Sequence, residues 1–89
     1  IGYGKMGKAI ETVALAQGHE IVLRIDADNR ATITDEQLQT ADVAIEFTSP
    51  HSAVANLHWC LQNNVPVVCG STGWLHNLPE IEQAVQQYN

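Results

Sequence analysis

The apolar residues of this chain fall into segments with helical spacing that alternate with short apolar runs. A first helix is predicted from Lys5 to Gln17, with Gly18 ending it in a left-handed conformation. Its apolar residues lie three or four positions apart and share one face: Met6, Ala9, Ile10, Val13 and Ala14. The mostly apolar run from Ile21 to Ile25 contains β-branched residues, which predicts a buried strand.

The same alternation continues through the second half of the chain. Strands are predicted from Asp42 to Phe47 and from Val65 to Cys69. Between them, Ser49-Pro50 is typical of a helix start, with serine as N-cap and proline in the first helical position. Apolar residues at helical spacing follow, and Asn63-Asn64 is expected to end this helix.

Two more helices complete the prediction. Thr34-x-x-Gln37 resembles a capping box that opens a short helix. A last helix carries an apolar face made of Ile81, Ala84, Val85 and Tyr88. The order β-α-β-(α)-β-α-β-α predicts an α/β fold of the Rossmann type, with a doubly wound parallel sheet in one domain over residues 1–89. Only Ile1 precedes the first glycine and the chain ends in a helical pattern, so we expect a fragment whose first strand is truncated.

Composition and charge narrow the classes of partner. The chain has 89 residues, a net charge of −6 and only four basic residues, which disfavours binding to nucleic acid or to an anionic membrane. The cysteines and histidines lack the spacing of metal ligands, and no nucleophile–base pair stands out, so neither a metal site nor a catalytic residue is predicted. Cys60 and Cys69 lie in apolar segments, which favours buried thiols in a reducing, cytoplasmic compartment.

The first seven residues contain the pattern G-x-G-x-x-G, formed by Gly2, Gly4 and Gly7. Such glycines permit a tight turn, close approach of the backbone to a pyrophosphate, and close packing of helix on strand. The N-terminus of the following helix offers free N–H groups to an anion, and Lys5 faces the same loop. The alternative is a glycine-rich turn needed only for packing.

Asp26 ends the predicted second strand, about 20 residues after the glycines, where Rossmann folds place an acid on the adenosine ribose. A carboxylate there repels a 2′-phosphate, which favours NADH over NADPH. Arg24 and Arg30 lie near enough in sequence to leave NADPH open. A solvated aspartate that begins a turn is the alternative role.

The other two strand ends carry further candidates. Phe47 and Thr48 follow the third strand, and Gly70-Ser71-Thr72-Gly73 follows the fourth. Ligands of parallel α/β sheets bind at the carboxyl ends of the strands, so we expect both segments near the nicotinamide half of a dinucleotide. Ordinary helix capping and a plain turn are the respective alternatives.

Three motifs together resemble the N-terminal domain of the 4-hydroxy-tetrahydrodipicolinate (dihydrodipicolinate) reductase family. They are Gly4-Lys5-Met6-Gly7, Glu46-Phe47-Thr48-Ser49-Pro50 and Gly70-Ser71-Thr72-Gly73-Trp74. The resemblance implies NAD(P)H-dependent reduction of a cyclic dicarboxylate in the diaminopimelate route to lysine. It also implies a homotetramer, with the catalytic and substrate residues in a second domain outside this chain.

The resemblance further implies a role for each motif. Residues Gly2, Tyr3, Gly4, Lys5, Met6 and Gly7 would hold the pyrophosphate, and Asp26 the adenosine ribose. Phe47 and Thr48 would line the cofactor, while Gly70, Ser71 and Thr72 would reach the nicotinamide. Two other functions remain open: the cofactor domain of an aspartate or homoserine type of dehydrogenase, and a non-catalytic module that senses a dinucleotide.

Overall fold

A computed structural model of the chain describes residues 1–71, 73 and 75–88. The helices are α1 (Lys5–Ala16), α2 (Asp35–Leu38), α3 (Pro50–Gln62) and α4 (Leu78–Tyr88), and the strands are β1 (Ala44–Glu46) and β2 (Val67–Cys69). Single 3₁₀ turns cover Arg30–Thr32 and Leu75–Asn77. From α2 onward, helices and strands alternate as predicted, and the class is α/β.

The sheet in the described part of the chain consists of β1 and β2. They run parallel, with Ala44 opposite Val67 and Glu46 opposite Cys69. Helix α3 forms the crossover between them, which makes the central unit of the fold a βαβ motif. Both strands therefore end at the same edge, next to the N-terminus of α3.

Ile1 and Gly2 lie beside β1, on the side opposite β2. The N-terminal ammonium of Ile1 donates to the Ile45 carbonyl, and the Phe47 N–H donates to the Ile1 carbonyl at 2.8 Å. The Gly2 N–H donates to the Ile25 carbonyl at 2.6 Å. These bonds bring the glycine loop, the end of β1 and the segment before Asp26 to one edge.

The prediction of a strand from Ile21 to Ile25 is wrong for this structure, which describes these residues and assigns them no strand. Their exposure does alternate, and Ile25 is buried. A ladder needs a partner with successive paired residues, but the neighbouring segment supplies only the bond from Gly2. The apolar pattern therefore predicts the packing of this segment better than its hydrogen bonding.

The predicted ends of the elements are largely confirmed. Gly18 follows α1 with φ of +86°, and Asn64 follows α3 with φ of 57°. Helix α2 has a complete capping box: Thr34 accepts from the Gln37 N–H, and the Gln37 side chain accepts from the Thr34 N–H. Ser49 is the N-cap of α3. Its carbonyl, rather than its hydroxyl, accepts from the first turn of that helix.

The elements pack closely on one side of the molecule and incompletely around α1. The core cluster unites α2, α3 and the strands; its buried members are Ile25, Leu38, Ala44, Trp59, Cys60 and Val65. Helix α4 packs on α3 and buries Ile81 and Ala84. By contrast, the predicted apolar face of α1 is incompletely covered by the described residues, and Met6 and Val13 remain 54% and 57% exposed. A cavity of about 140 Å³ separates this helix from residues 21–25 and the edge of β1.

Candidate functional site

The three glycines of the first loop occupy three different environments. Gly2 has φ of +93°, and a Cβ there would collide with the Phe47 carbonyl. A Cβ on Gly7 would collide with the Gly2 carbonyl. At Gly4, no heavy atom of the described residues lies within 4 Å of the Cβ position. Gly2 and Gly7 are therefore required by packing, whereas Gly4 leaves room for a group outside the protein.

The start of α1 is arranged to receive an anion. Gly4 is the N-cap, and its carbonyl accepts the first helical bond from the Lys8 N–H at 2.9 Å. The N–H groups of the first turn have no intrahelical acceptor and carry the positive end of the helix dipole. This turn contains Lys5 and no acidic residue. The first turn of α1 thus offers backbone donors and positive charge next to the open space at Gly4.

The side chains of the glycine loop offer less to a ligand than its backbone does. Met6 is exposed, while the Tyr3 hydroxyl donates to a carboxylate oxygen of Glu11. The other oxygen of Glu11 is paired with Arg24. The bonds from Tyr3 and Arg24 hold the pKa of Glu11 below its ordinary value. The Tyr3 hydroxyl is therefore directed to α1, and Arg24 is already paired with an acid.

Asp26 both orders a turn and presents a carboxylate at the sheet edge. Its Oδ1 accepts from the N–H groups of Asp28 at 3.0 Å and Asn29 at 3.3 Å. The Asn29 side chain in turn accepts from the Asp26 N–H at 2.8 Å. This exchange fixes the loop after Ile25, which the Gly2 N–H ties to the glycine loop. Asp26 therefore has the turn role that the sequence left open. The turn places its half-exposed carboxylate beside the glycine loop.

Phe47 and Thr48 connect the ends of the two strands. The Phe47 ring packs so closely against Gly70 that a Cβ on the glycine would overlap the ring. The Thr48 N–H donates to the Ser71 hydroxyl at 2.7 Å. Gly73, with φ of +83°, comes near the Pro50 ring, to which a Cβ would lie 2.8 Å away. The loops after β1 and β2 are thus joined directly.

Glu46 is a buried acid that the sequence analysis did not single out as a site residue. It is the last residue of β1 and is 0% exposed. Burial acts to raise the pKa of its carboxyl, but hydrogen bonds from neighbouring donors outweigh this effect and keep the pKa below its ordinary value. The donors are the side chains of Ser71, Thr48, Cys69 and Asn56. The sequence did contain a signal for this role. Glu46 is a charged residue two positions after Ala44, on the same face of the strand, and both are buried.

The structure brings most of the predicted residues to one edge. The glycine loop contacts Phe47, Phe47 contacts Gly70, and Thr48 bonds to Ser71. Asp26 reaches the same edge through the bond between Gly2 and Ile25. Lys5 and Met6 are exposed on the first turn of α1. Thr72 lies outside the described residues.

Residues away from this edge have other partners. Arg30 stacks on Trp59, with its guanidinium carbon 3.4 Å from the ring centroid. His58 and Glu80 pair at 2.7 Å and link α3 to α4. Across residues 1–71, 73 and 75–88, no group of three or more potential ligands could hold a metal ion. The helices in this part of the chain are too short or too polar to cross a membrane.

The fold and the glycine loop define an α/β protein with a glycine-capped helix N-terminus at the edge of a parallel sheet. The sequence profile described as "Dihydrodipicolinate reductase, N-terminus" matches residues 1–89. The chain therefore belongs to this family. This result favours the reductase family that the three motifs resemble over the aspartate and homoserine types of dehydrogenase.

Individual relatives agree with this assignment. The 4-hydroxy-tetrahydrodipicolinate reductase of Christiangramia forsetii is 40% identical over 76 residues, which cover 84% of this chain and 30% of that protein. The enzyme of the same name from Bifidobacterium longum subsp. infantis is 32% identical over 84 residues, covering 92% and 33%. That of Beutenbergia cavernae is 38% identical over 73 residues, covering 80% and 28%. The chain thus matches about a third of the length of these relatives, and no solved structure matches it.

Proposed function

We propose that this chain is the dinucleotide-binding part of a 4-hydroxy-tetrahydrodipicolinate reductase, an NAD(P)H-dependent enzyme of diaminopimelate and lysine biosynthesis. The observation that carries the proposal is the junction of the glycine loop (residues 2–7) with the other two family motifs. Gly2 abuts the Phe47 carbonyl, the Phe47 ring covers Gly70, and Thr48 bonds to Ser71. Residues from three separate segments thus form one edge, where α/β sheets bind their ligands.

The proposed roles follow from the chemistry at this edge. The backbone from Gly2 to Gly7 holds the pyrophosphate, which occupies the open space at Gly4 and accepts from the first turn of α1. Lys5 adds positive charge there. Thr48 and the backbone of Gly70 and Ser71 lie along the nicotinamide half, and Phe47 supports them through its contact with Gly70. When bound, the nicotinamide supplies the hydride, while these residues hold and orient it.

We propose that NADH is preferred over NADPH. The half-exposed Asp26 carboxylate accepts from the ribose hydroxyls and repels a 2′-phosphate. Both arginines that the sequence left as phosphate ligands have other partners: Arg24 pairs with Glu11, and Arg30 stacks on Trp59. Releasing either arginine for a 2′-phosphate would break one of these contacts.

The wider proposal concerns the whole protein. Residues 1–89 form part of a doubly wound Rossmann domain, and a second domain binds the cyclic dicarboxylate substrate and mediates a homotetramer. The buried thiol of Cys60 suits a cytoplasmic enzyme, and the net charge of −6 disfavours nucleic acid and anionic membranes as partners.

Turnover by the full-length protein tests the proposal. Purified enzyme is mixed with NADH or NADPH and with 4-hydroxy-tetrahydrodipicolinate, and loss of nicotinamide absorbance is followed. We expect oxidation that depends on the substrate, with a higher kcat/KM for NADH. A protein that binds dinucleotide without any substrate-dependent oxidation would instead support the sensing module.

A further inference from the structure

We propose that Glu46 is a positioning residue that holds the loops after β1 and β2 in the geometry that binds the dinucleotide. The inference rests on the proposed function and extends it to a residue that is inaccessible to the cofactor, since Glu46 is 0% exposed. Glu46 acts on the loops through its hydrogen bonds rather than by contact with the cofactor.

The carboxylate of Glu46 gathers donors from four parts of the fold. Its Oε1 accepts from the Ser71 hydroxyl at 2.6 Å and from the Cys69 thiol at 3.3 Å. Its Oε2 accepts from the Thr48 hydroxyl and, at 3.3 Å, from the Asn56 side-chain amide. The donors thus come from the loop after β1, from α3, from β2 and from the loop after β2.

The same two loops are also bonded to each other around this carboxylate. The Thr48 N–H donates to the Ser71 hydroxyl oxygen at 2.7 Å, which orients that hydroxyl as it donates to Glu46. The Gly70 N–H donates to the Glu46 carbonyl at 2.8 Å. One ionised side chain therefore bonds to both loops, through Thr48 and Ser71, next to the backbone bond that joins the strand ends at Glu46 and Gly70.

A neutral residue cannot reproduce this arrangement. A carboxylate is acceptor-only and offers both oxygens, whereas an amide offers one acceptor oxygen and one donating NH₂ group. In a glutamine at this site, the NH₂ group would lie on one side, against either Thr48 and Asn56 or Ser71 and Cys69, and those groups could no longer donate to residue 46. Hydrogen bonds to a buried charge are stronger than those between neutral groups. Replacing the charge with an amide changes the packed volume little, so its main effect is to weaken these bonds and loosen the loops.

The test uses dinucleotide affinity in the full-length protein, measured by titration with NADH. Glu46→Gln is expected to raise the Kd for NADH about tenfold, the loss of roughly one charge-assisted hydrogen bond. Glu46→Asp keeps the charge on a shorter side chain and is expected to restore part of the affinity. Ile81→Ala is the matched control, because Ile81 is 7% exposed but lies in α4 and packs against the end of α3, away from the loops. It is expected to lower the melting temperature and to leave the Kd unchanged.

A double-mutant cycle separates positioning from general destabilisation. If Glu46 acts through Ser71, then Ser71→Ala adds little to the Kd once Glu46→Gln is present. Multiplicative effects of the two substitutions would overturn the proposal. If Glu46→Gln does not fold, Asn56→Leu removes one donor from outside the two loops. It is then expected to raise the Kd about threefold, as the partial loss of one hydrogen bond would do, and an unchanged Kd would overturn the proposal.

The outcomes also distinguish this inference from the proposed function. A wild-type protein that binds NADH, with Glu46→Gln binding equally well but melting at a lower temperature, would make Glu46 a purely structural residue and leave the proposed function intact. A wild-type protein that binds neither NADH nor NADPH would overturn both.

Discussion

Gly4 and Gly7 provide a matched pair of substitutions that separates ligand binding from packing. Both residues belong to the same loop, and both would receive only a methyl group. Gly4 faces open space among the described residues, whereas Gly7 faces the Gly2 carbonyl. We expect Gly4→Ala to impair dinucleotide binding with little effect on stability, and Gly7→Ala to destabilise the fold.

The stability effects can be estimated from the structure. Gly4 has φ of −87°, so alanine there is not forced into a left-handed conformation. Alanine is a poorer N-cap, at a cost of about 0.5 kcal/mol, but it restricts the unfolded chain by a similar amount. At Gly7, alanine is the better helix former by about 1 kcal/mol. Relieving the collision with Gly2 costs up to about 3 kcal/mol of overpacking, so we expect a net loss of about 2 kcal/mol.

The binding effect of Gly4→Ala has a different origin. The added methyl group occupies the space proposed for the pyrophosphate and weakens about one charge-assisted hydrogen bond from the start of α1. Such a bond contributes about 1.5–3 kcal/mol, which corresponds to an increase in Kd of about tenfold to a hundredfold.

Titration of the full-length variants with NADH and urea unfolding of the same samples measure both quantities. If Gly4→Ala bound NADH as tightly as the wild type, the open space at Gly4 would not be the pyrophosphate site. If Gly7→Ala were as stable as the wild type, the close packing of α1 on Gly2 would be wrong.

Three further predictions concern other parts of the chain. Asp26→Ala should lower the affinity for NADH relative to NADPH, as measured by titrating both cofactors. An unchanged ratio of the two affinities would mean that Asp26 serves only to order its turn. Burial raises the pKa of Cys60 from 9.0 to about 11, so the folded protein keeps a proton there that the unfolded chain loses. The free energy of unfolding should therefore fall as pH rises from about 9 to 11, and Cys60→Ala should reduce that fall; an equal fall in both proteins would contradict the shift. Thr34→Ala removes the acceptor for the Gln37 N–H and should cost about 1 kcal/mol in urea unfolding, whereas Thr34→Ser should cost less; equal losses would show that the cap hydroxyl is not the stabilising group.

Local patterns predicted local structure well in this chain. The capping box at Thr34, the proline after Ser49 and the glycine at position 18 each act on neighbouring residues, and each lies at the predicted helix end. The segment from Ile21 to Ile25 differs because a strand exists only where a partner pairs with it. Its apolar pattern predicted the burial of Ile25 but could not supply that partner.

The candidate site shows the same division. The spacing of Gly2, Gly4 and Gly7 predicted a loop in which the glycines have separate roles, and their three environments do differ. The role of Glu46 depends on donors distant in sequence, including Ser71, 25 positions later. Only the folded chain brings these donors together. The motif that contains Glu46 was therefore visible in the sequence, but the role of Glu46 within it was not.

The central claim is that the glycine loop and the loops after β1 and β2 form one dinucleotide site. Hydrogen exchange of the full-length protein, followed by mass spectrometry with and without NADH, tests this claim most directly. Backbone amides in residues 4–7, 47–49 and 70–73 should become protected together on binding, while those of α4 should not change. Protection confined to other segments, with these three loops exchanging at their original rates, would contradict the account.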